Sequence, residues 1–185
     1  SPWMQKLPGG LIHVNVVGCA IFAAISGSSA ATVATVGKMS IPELRKRNYP
    51  EKILLGSLAG SGTLGLLIPP SIILIIYGVT VQESIAKLFI AGIFPGIMIA
   101  IIFMTYVVIW SLMNKNKMPV LTEEIPFIEK IKKSGKLIPV ILLIVSVIGS
   151  IYSGVATATE AASLGVVGAL ILSFFQKSLT VDSFK

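Results

Sequence analysis

Five apolar blocks, separated by short stretches that hold most of the charge, constrain this chain more than any other feature. They run over residues 11–36, 53–80, 88–113, 137–153 and 161–175. The hydrocarbon core of a bilayer is ~30 Å thick and is crossed by about 20 apolar residues in helical form. Lipid offers no hydrogen-bond partner, so a crossing segment must satisfy its own backbone. Charged residues make up 12% of the chain and hydrophobic residues 54%. That charged share is about half of what soluble domains carry. Mean hydropathy is +0.90. An ordinary soluble enzyme and a disordered tail are both excluded, and the fold class expected is an all-α polytopic membrane protein.

The net charge of +7 raises nucleic acid as a partner, but the basic residues lie beside apolar runs, where membrane topology accounts for them. If the first block is a hairpin and the other four each cross once, one side of the membrane holds 14 of the 15 basic residues and the other holds only Lys87. This split places 38–52 and 114–136 in the cytoplasm and 81–87 outside it. A single crossing by the first block moves only Lys6 to the other side, so charge alone leaves the hairpin open.

The first block has Ser26-Gly27-Ser28-Ser29 at its middle. On either side, 11–25 and 30–39 reach only ~22 Å and ~15 Å as helix, each short of a crossing. A re-entrant hairpin over 11–39 with its tip at Ser26–Ser29 is one reading. A single helix whose small residues pack closely against neighbours is the other. The second block, 53–80, contains Gly60-Ser61-Gly62-Thr63-Leu64-Gly65 and then Pro69-Pro70. Glycine loosens a helix and proline removes its backbone donors, so a break is expected there. Carriers build ion sites from the carbonyls freed by such breaks. Close packing through Gly56 and Gly60 is the plainer alternative.

Other motifs carry less chemistry. Cys19 and His13 are the only residues of their types, so no internal disulfide, zinc site or Cys–His nucleophile pair is available. No acid pair or Ser–His pair stands out, and no catalytic residue is assigned. Arg45-Lys46-Arg47 reads as a topological anchor, with an anionic-lipid contact as the alternative. Thr157 and Glu160 fit a capping box ahead of the last block, with an ion-coupling role for Glu160 as the alternative. Within 114–136, Ile125, Phe127, Ile128 and Ile131 suit an amphipathic interfacial helix. No secretory signal pattern is visible, and the chain is expected to be part of a longer membrane protein.

The stretches Phe22-Ala23-Ala24-Ile25-Ser26-Gly27-Ser28-Ser29-Ala30-Ala31-Thr32 and Gly62-Thr63-Leu64-Gly65-Leu66-Leu67-Ile68-Pro69-Pro70-Ser71 resemble the large membrane subunit of TRAP (tripartite ATP-independent periplasmic) transporters. So do Tyr77-Gly78, the run from Lys87 to Gly96, and Thr159-Glu160-Ala161-Ala162. The resemblance covers nearly the whole chain in order. One departure is Ala158, where the family commonly has proline.

The resemblance implies an inverted-repeat, elevator-type ion-transporter fold. This chain would supply about four transmembrane helices and one re-entrant hairpin of it. Residues 1–113 would be part of the transport domain, with hairpin 11–39, broken helix 53–80 and helix 88–113. Residues 114–136 would be a cytoplasmic connector, and 137–185 the start of the second repeat. The implied function is sodium-coupled import of an organic acid, such as a dicarboxylate or sialic acid. A periplasmic substrate-binding protein would deliver it, and a small four-helix membrane subunit would pair with this one. The site would sit in the inner membrane of a bacterium or archaeon. Ser26, Gly27, Ser28 and Ser29 of the tip, with Gly60, Gly62, Thr63, Gly65 and Pro69 of the facing break, would bind sodium and face the substrate. No organic cofactor is implied. Another ion-coupled carrier or channel, and a non-transporting scaffold subunit, are the competing classes.

Overall fold

The computed structural model describes residues 7–119 and 138–175, and among them every regular element is helical. They fall into two compact units, one in each range.

The first unit opens on a short 3-10 turn, Gly10–Ile12, which leads into α1, His13–Ser26. Gly27 ends α1 in the left-handed region at φ 59°, and Ser28 is extended. The chain then reverses into α2, Ser29–Lys46. The first apolar block is therefore a helical hairpin and not one continuous helix. Its arms pack antiparallel, with Gly18 of α1 against Val36 of α2. Cys19, Val36 and Leu58 form a small buried cluster beneath this contact.

The second arm is longer than the sequence predicts, since α2 continues past Met39 to Lys46 with Pro42 inside it. Proline withholds one helical donor. Here packing compensates, because Leu44 is buried with Ile12, Tyr49, Ile53, Leu54 and Val107. The exposed face beyond carries two ion pairs, Arg47 to Glu43 at 2.7 Å and Arg45 to Glu51 at 2.6 Å. The Arg47 guanidinium holds the Glu43 carboxyl below the usual carboxylate range. Tyr49 then closes the turn, its hydroxyl accepting from the Leu11 amide at 3.0 Å.

The second block forms three helices, α3 (Glu51–Gly62), α4 (Leu64–Leu67) and α5 (Ile72–Val81). After the turn at Gln82, α6 runs Ile85–Met113, 29 residues with Pro95 inside. At ~1.5 Å per residue, α6 is ~44 Å long. The runs Glu51–Val81 and Ile85–Met113 are long and apolar enough to cross a membrane. Their outward faces are apolar as well: Ile90, Phe94, Ile97, Ile101 and Ile109 of α6 are all more than half exposed. A water-soluble domain does not present such a face. Lys115–Lys117 forms a 3-10 turn. The expected amphipathic connector lies outside the described residues from 120 onward.

The second unit is a helix pair, α7 (Ile138–Tyr152) and α8 (Ala158–Phe175). Thr157 and Glu160 form the expected capping box at the start of α8. The Glu160 carboxylate accepts from the Thr157 amide at 2.8 Å, and the Glu160 amide donates to the Thr157 hydroxyl at 3.3 Å.

Candidate ion and substrate site

The hairpin tip is a hydroxyl-rich turn built by two helix ends. Ser28 caps α2, its hydroxyl accepting from the Ala31 amide at 3.4 Å. Thr32, fully buried, donates to the Ser28 carbonyl at 2.7 Å and shares a hydrogen bond with the Ser26 hydroxyl at 3.0 Å. Ser26, Ser28 and Thr32 thus form one connected group beside Gly27.

The interruption in the second block lies at Ile68–Ser71, between α4 and α5, further along than the glycine run suggests. Gly60–Gly62 is helical, and Thr63 marks only the join between α3 and α4. Pro69 and Pro70 supply no amide hydrogens, so the Gly65 carbonyl lacks the donor residue 69 would give in a continuous helix. The Leu66 carbonyl, deprived of residue 70, is met instead by the Ser71 hydroxyl at 2.7 Å.

Tip and break are in direct contact. The Ile72 amide donates to the Gly27 carbonyl at 3.2 Å. A β-carbon on Gly27 would overlap the Pro70 carbonyl oxygen, and one on Gly65 would come within 2.8 Å of the Ser28 and Ser29 backbone. Gly62 faces Val33 of α2, while Gly92 and Gly96 of α6 face Leu67 and Ile68 from the other side.

The structure therefore brings Ser26, Gly27, Ser28 and Ser29 together with Gly62, Gly65 and the Pro69-Pro70 break. It does not bring Gly60 or Thr63 to them. Gly60 faces the Phe103 ring of α6. Thr63 is exposed, and its hydroxyl donates to the Gly60 carbonyl at 2.7 Å. Thr32 and Ser71 are additions that sequence reasoning missed. Both sit one helical turn or less from residues it singled out, but nothing in the local pattern separates them from ordinary helix serines and threonines.

Four helix ends converge at this junction: the C-termini of α1 and α4 and the N-termini of α2 and α5. C-terminal carbonyls carry partial negative charge and suit a cation, while N-terminal amides suit an anion. One contact region thus offers both kinds of partner with no charged side chain among its residues.

The described residues are helical, with an apolar exposed face on α6 and a hairpin tip set against a helix break, and this is the build of a membrane carrier. The family model for the tripartite ATP-independent periplasmic transporter, DctM component, matches residues 4–185, and the chain belongs to that family.

Among its relatives is the C4-dicarboxylate TRAP transporter large permease protein DctM of Pseudomonas aeruginosa, 40% identical over 167 residues, which are 90% of this chain and 38% of that protein. The isethionate TRAP transporter permease protein DctMQ of Oleidesulfovibrio alaskensis is 37% identical over 98% of this chain and 28% of its own length. The sialic acid TRAP transporter permease protein SiaT of Haemophilus influenzae is 37% identical over 95% of this chain and 28% of its own. The chain thus spans about 28–38% of these relatives. Their names are those of permeases and not of enzymes.

Proposed function

We propose that this chain forms part of the permease of a sodium-coupled secondary transporter that imports a small organic acid. The observation that carries the reading is the convergence of four helix ends where the hairpin tip meets the break. Sodium takes oxygen ligands, and the Ser26, Ser28 and Thr32 hydroxyls, the Gly27 carbonyl and the Gly65 carbonyl supply that chemistry. The amide-rich starts of α2 and α5 suit a carboxylate.

Coupling follows from proximity. A cation bound at the C-terminal carbonyls neutralises them, and so favours a carboxylate held at the neighbouring N-termini. The acid then binds best when sodium is present, and the reverse holds by linkage. Relatives named for C4-dicarboxylates and sialic acid support a carboxylate as cargo. The family supports a periplasmic binding protein and a small membrane subunit as partners. The basic turn at 45–47 supports placing this end in the cytoplasm. The reading includes about four crossings in this chain, a re-entrant hairpin at 11–46 and an elevator motion of the tip and break as one body.

The test is uptake into proteoliposomes holding the complete transporter. Uptake of a labelled organic acid that requires both an inward sodium gradient and the binding protein is expected. Uptake that needs neither would assign the chain to a channel or another carrier, and no uptake under any gradient would assign it to a scaffold.

A further inference from the structure

The contact between tip and break depends on where the hairpin lies along α3. Gly62 against Val33, Gly37 against Leu58 and Gly65 against the Ser28 and Ser29 backbone set how closely the segments approach. A buried polar side chain of α1 adds directional contacts to that packing. Asn15 of α1 is fully buried and lies about three turns before the tip. Its amide nitrogen donates to the Leu54 carbonyl at 3.2 Å and to the Ser57 hydroxyl at 3.0 Å, both on α3. One turn further on, Cys19 of α1 is buried in one cluster with Leu58 of α3. These are paired steps of two helices running in the same direction toward the tip.

Two details show that Asn15 supplies register more than it supplies stability. The Leu54 carbonyl also accepts from the Ser57 hydroxyl at 3.0 Å, so removing the Asn15 amide leaves that carbonyl partnered and the Ser57 hydroxyl still donating. The Asn15 carbonyl oxygen, in turn, has no hydrogen-bond partner, a cost in an apolar interior. An apolar side chain of the same branched shape would remove that cost, which offsets the loss of the two hydrogen bonds the Asn15 amide donates. What an apolar group cannot do is discriminate one register from the next.

We propose that Asn15 is a positioning residue of the transport site: by donating to Leu54 and Ser57 it fixes α1 along α3, and so holds Gly27 against Pro70 and Ile72. This rests on the reading of that junction as the sodium site, because the register matters to transport only if the tip binds the coupling ion. Asn15 touches neither ion nor cargo.

The test uses the complete transporter in proteoliposomes, with sodium varied and the purified protein's melting temperature measured in parallel. Asn15→Leu is expected to raise the half-saturating sodium concentration about two- to tenfold, the range one net hydrogen bond commands. Maximal uptake at saturating sodium and the melting temperature should change little. Ser57→Ala should shift sodium dependence in the same direction and by less. The double variant should add nothing to Asn15→Leu, since both act through one contact. If Asn15→Leu and Ser57→Ala keep the parent's sodium dependence while Ser28→Ala raises it, the positioning role is wrong and the site stands. If Ser28→Ala is also without effect, the junction is not the sodium site, and the role of Asn15 falls with it. Should Asn15→Leu fail to fold, Ser57→Ala alone decides by the same criterion.

Discussion

The Ile72 amide donates to the Gly27 carbonyl at 3.2 Å, so the first residue of α5 is tied to the residue that ends α1. Each group is one that a helix terminus leaves without an internal partner. A hairpin tip and a helix break thus satisfy one another across two segments far apart in the sequence.

That tie leaves no room for a side chain at Gly27. Its φ of 59° lies in the left-handed region, and a β-carbon there would overlap the Pro70 carbonyl oxygen. The conformation alone costs a non-glycine residue about 1–2 kcal/mol. Gly27→Ala is expected to lower the melting temperature of the purified transporter and to reduce uptake. A variant with the parent's melting temperature and uptake would show that the tip does not seat against the break in this way.

Two other glycines predict opposite signs for the same substitution. A β-carbon on Gly65 would come within 2.8 Å of the Ser28 and Ser29 backbone, whereas one on Gly56 meets nothing within 4 Å. Gly65→Ala should therefore destabilise and impair uptake, because the tip must be pushed off α4. Gly56→Ala should be neutral or stabilising by up to about 1 kcal/mol, through helix propensity alone. Thermal unfolding of the two variants side by side checks the contrast, and equal effects would contradict it.

Much of this arrangement was legible in the sequence. Ser26-Gly27-Ser28-Ser29 interrupts an apolar block with residues that cap helices, and the hairpin turns there. Pro69-Pro70 withholds two consecutive donors, and the chain breaks there. The glycines before it misled, because Gly62 and Gly65 lie within helices and serve close approach between segments, a role that local pattern does not separate from loosening. The continuation of α2 through Pro42 to Lys46 was hidden for a similar reason. It depends on Leu44 packing against Leu54 and Val107, contacts between distant segments. Asn15, Thr32 and Ser71 carry no local signal, since each gains its meaning from a partner elsewhere in the fold.

Glu160 separates a structural acid from a coupling one. Its carboxylate accepts from the Thr157 amide and hydroxyl, both at 2.8 Å. Glutamine keeps an acceptor oxygen in place, so Glu160→Gln should transport like the parent. Thr157→Ala should cost about 1 kcal/mol as a lost helix cap. Uptake abolished by Glu160→Gln with unchanged stability would give the carboxylate a part in coupling.

Topology can be read by labelling single cysteines in a Cys19→Ala background with a reagent that does not cross the membrane. Lys46 and Lys117 should be protected in intact spheroplasts, and Glu83 should react, because the proposed hairpin and four crossings would put 14 of the 15 basic residues on one side. Labelling at Lys46 and Lys117 with none at Glu83 would invert the orientation.

The most direct test of the junction as the transport site is the sodium dependence of uptake by Ser28→Ala and Thr32→Ala in the reconstituted transporter. Both hydroxyls belong to the connected group at the tip, with Thr32 donating to the Ser28 carbonyl at 2.7 Å. Each variant should need several-fold more sodium for half-maximal uptake, since a hydrogen bond or ligand of this kind is worth about 1 kcal/mol. If both keep the parent's half-maximal sodium concentration, the ion binds elsewhere and the account of this junction is wrong.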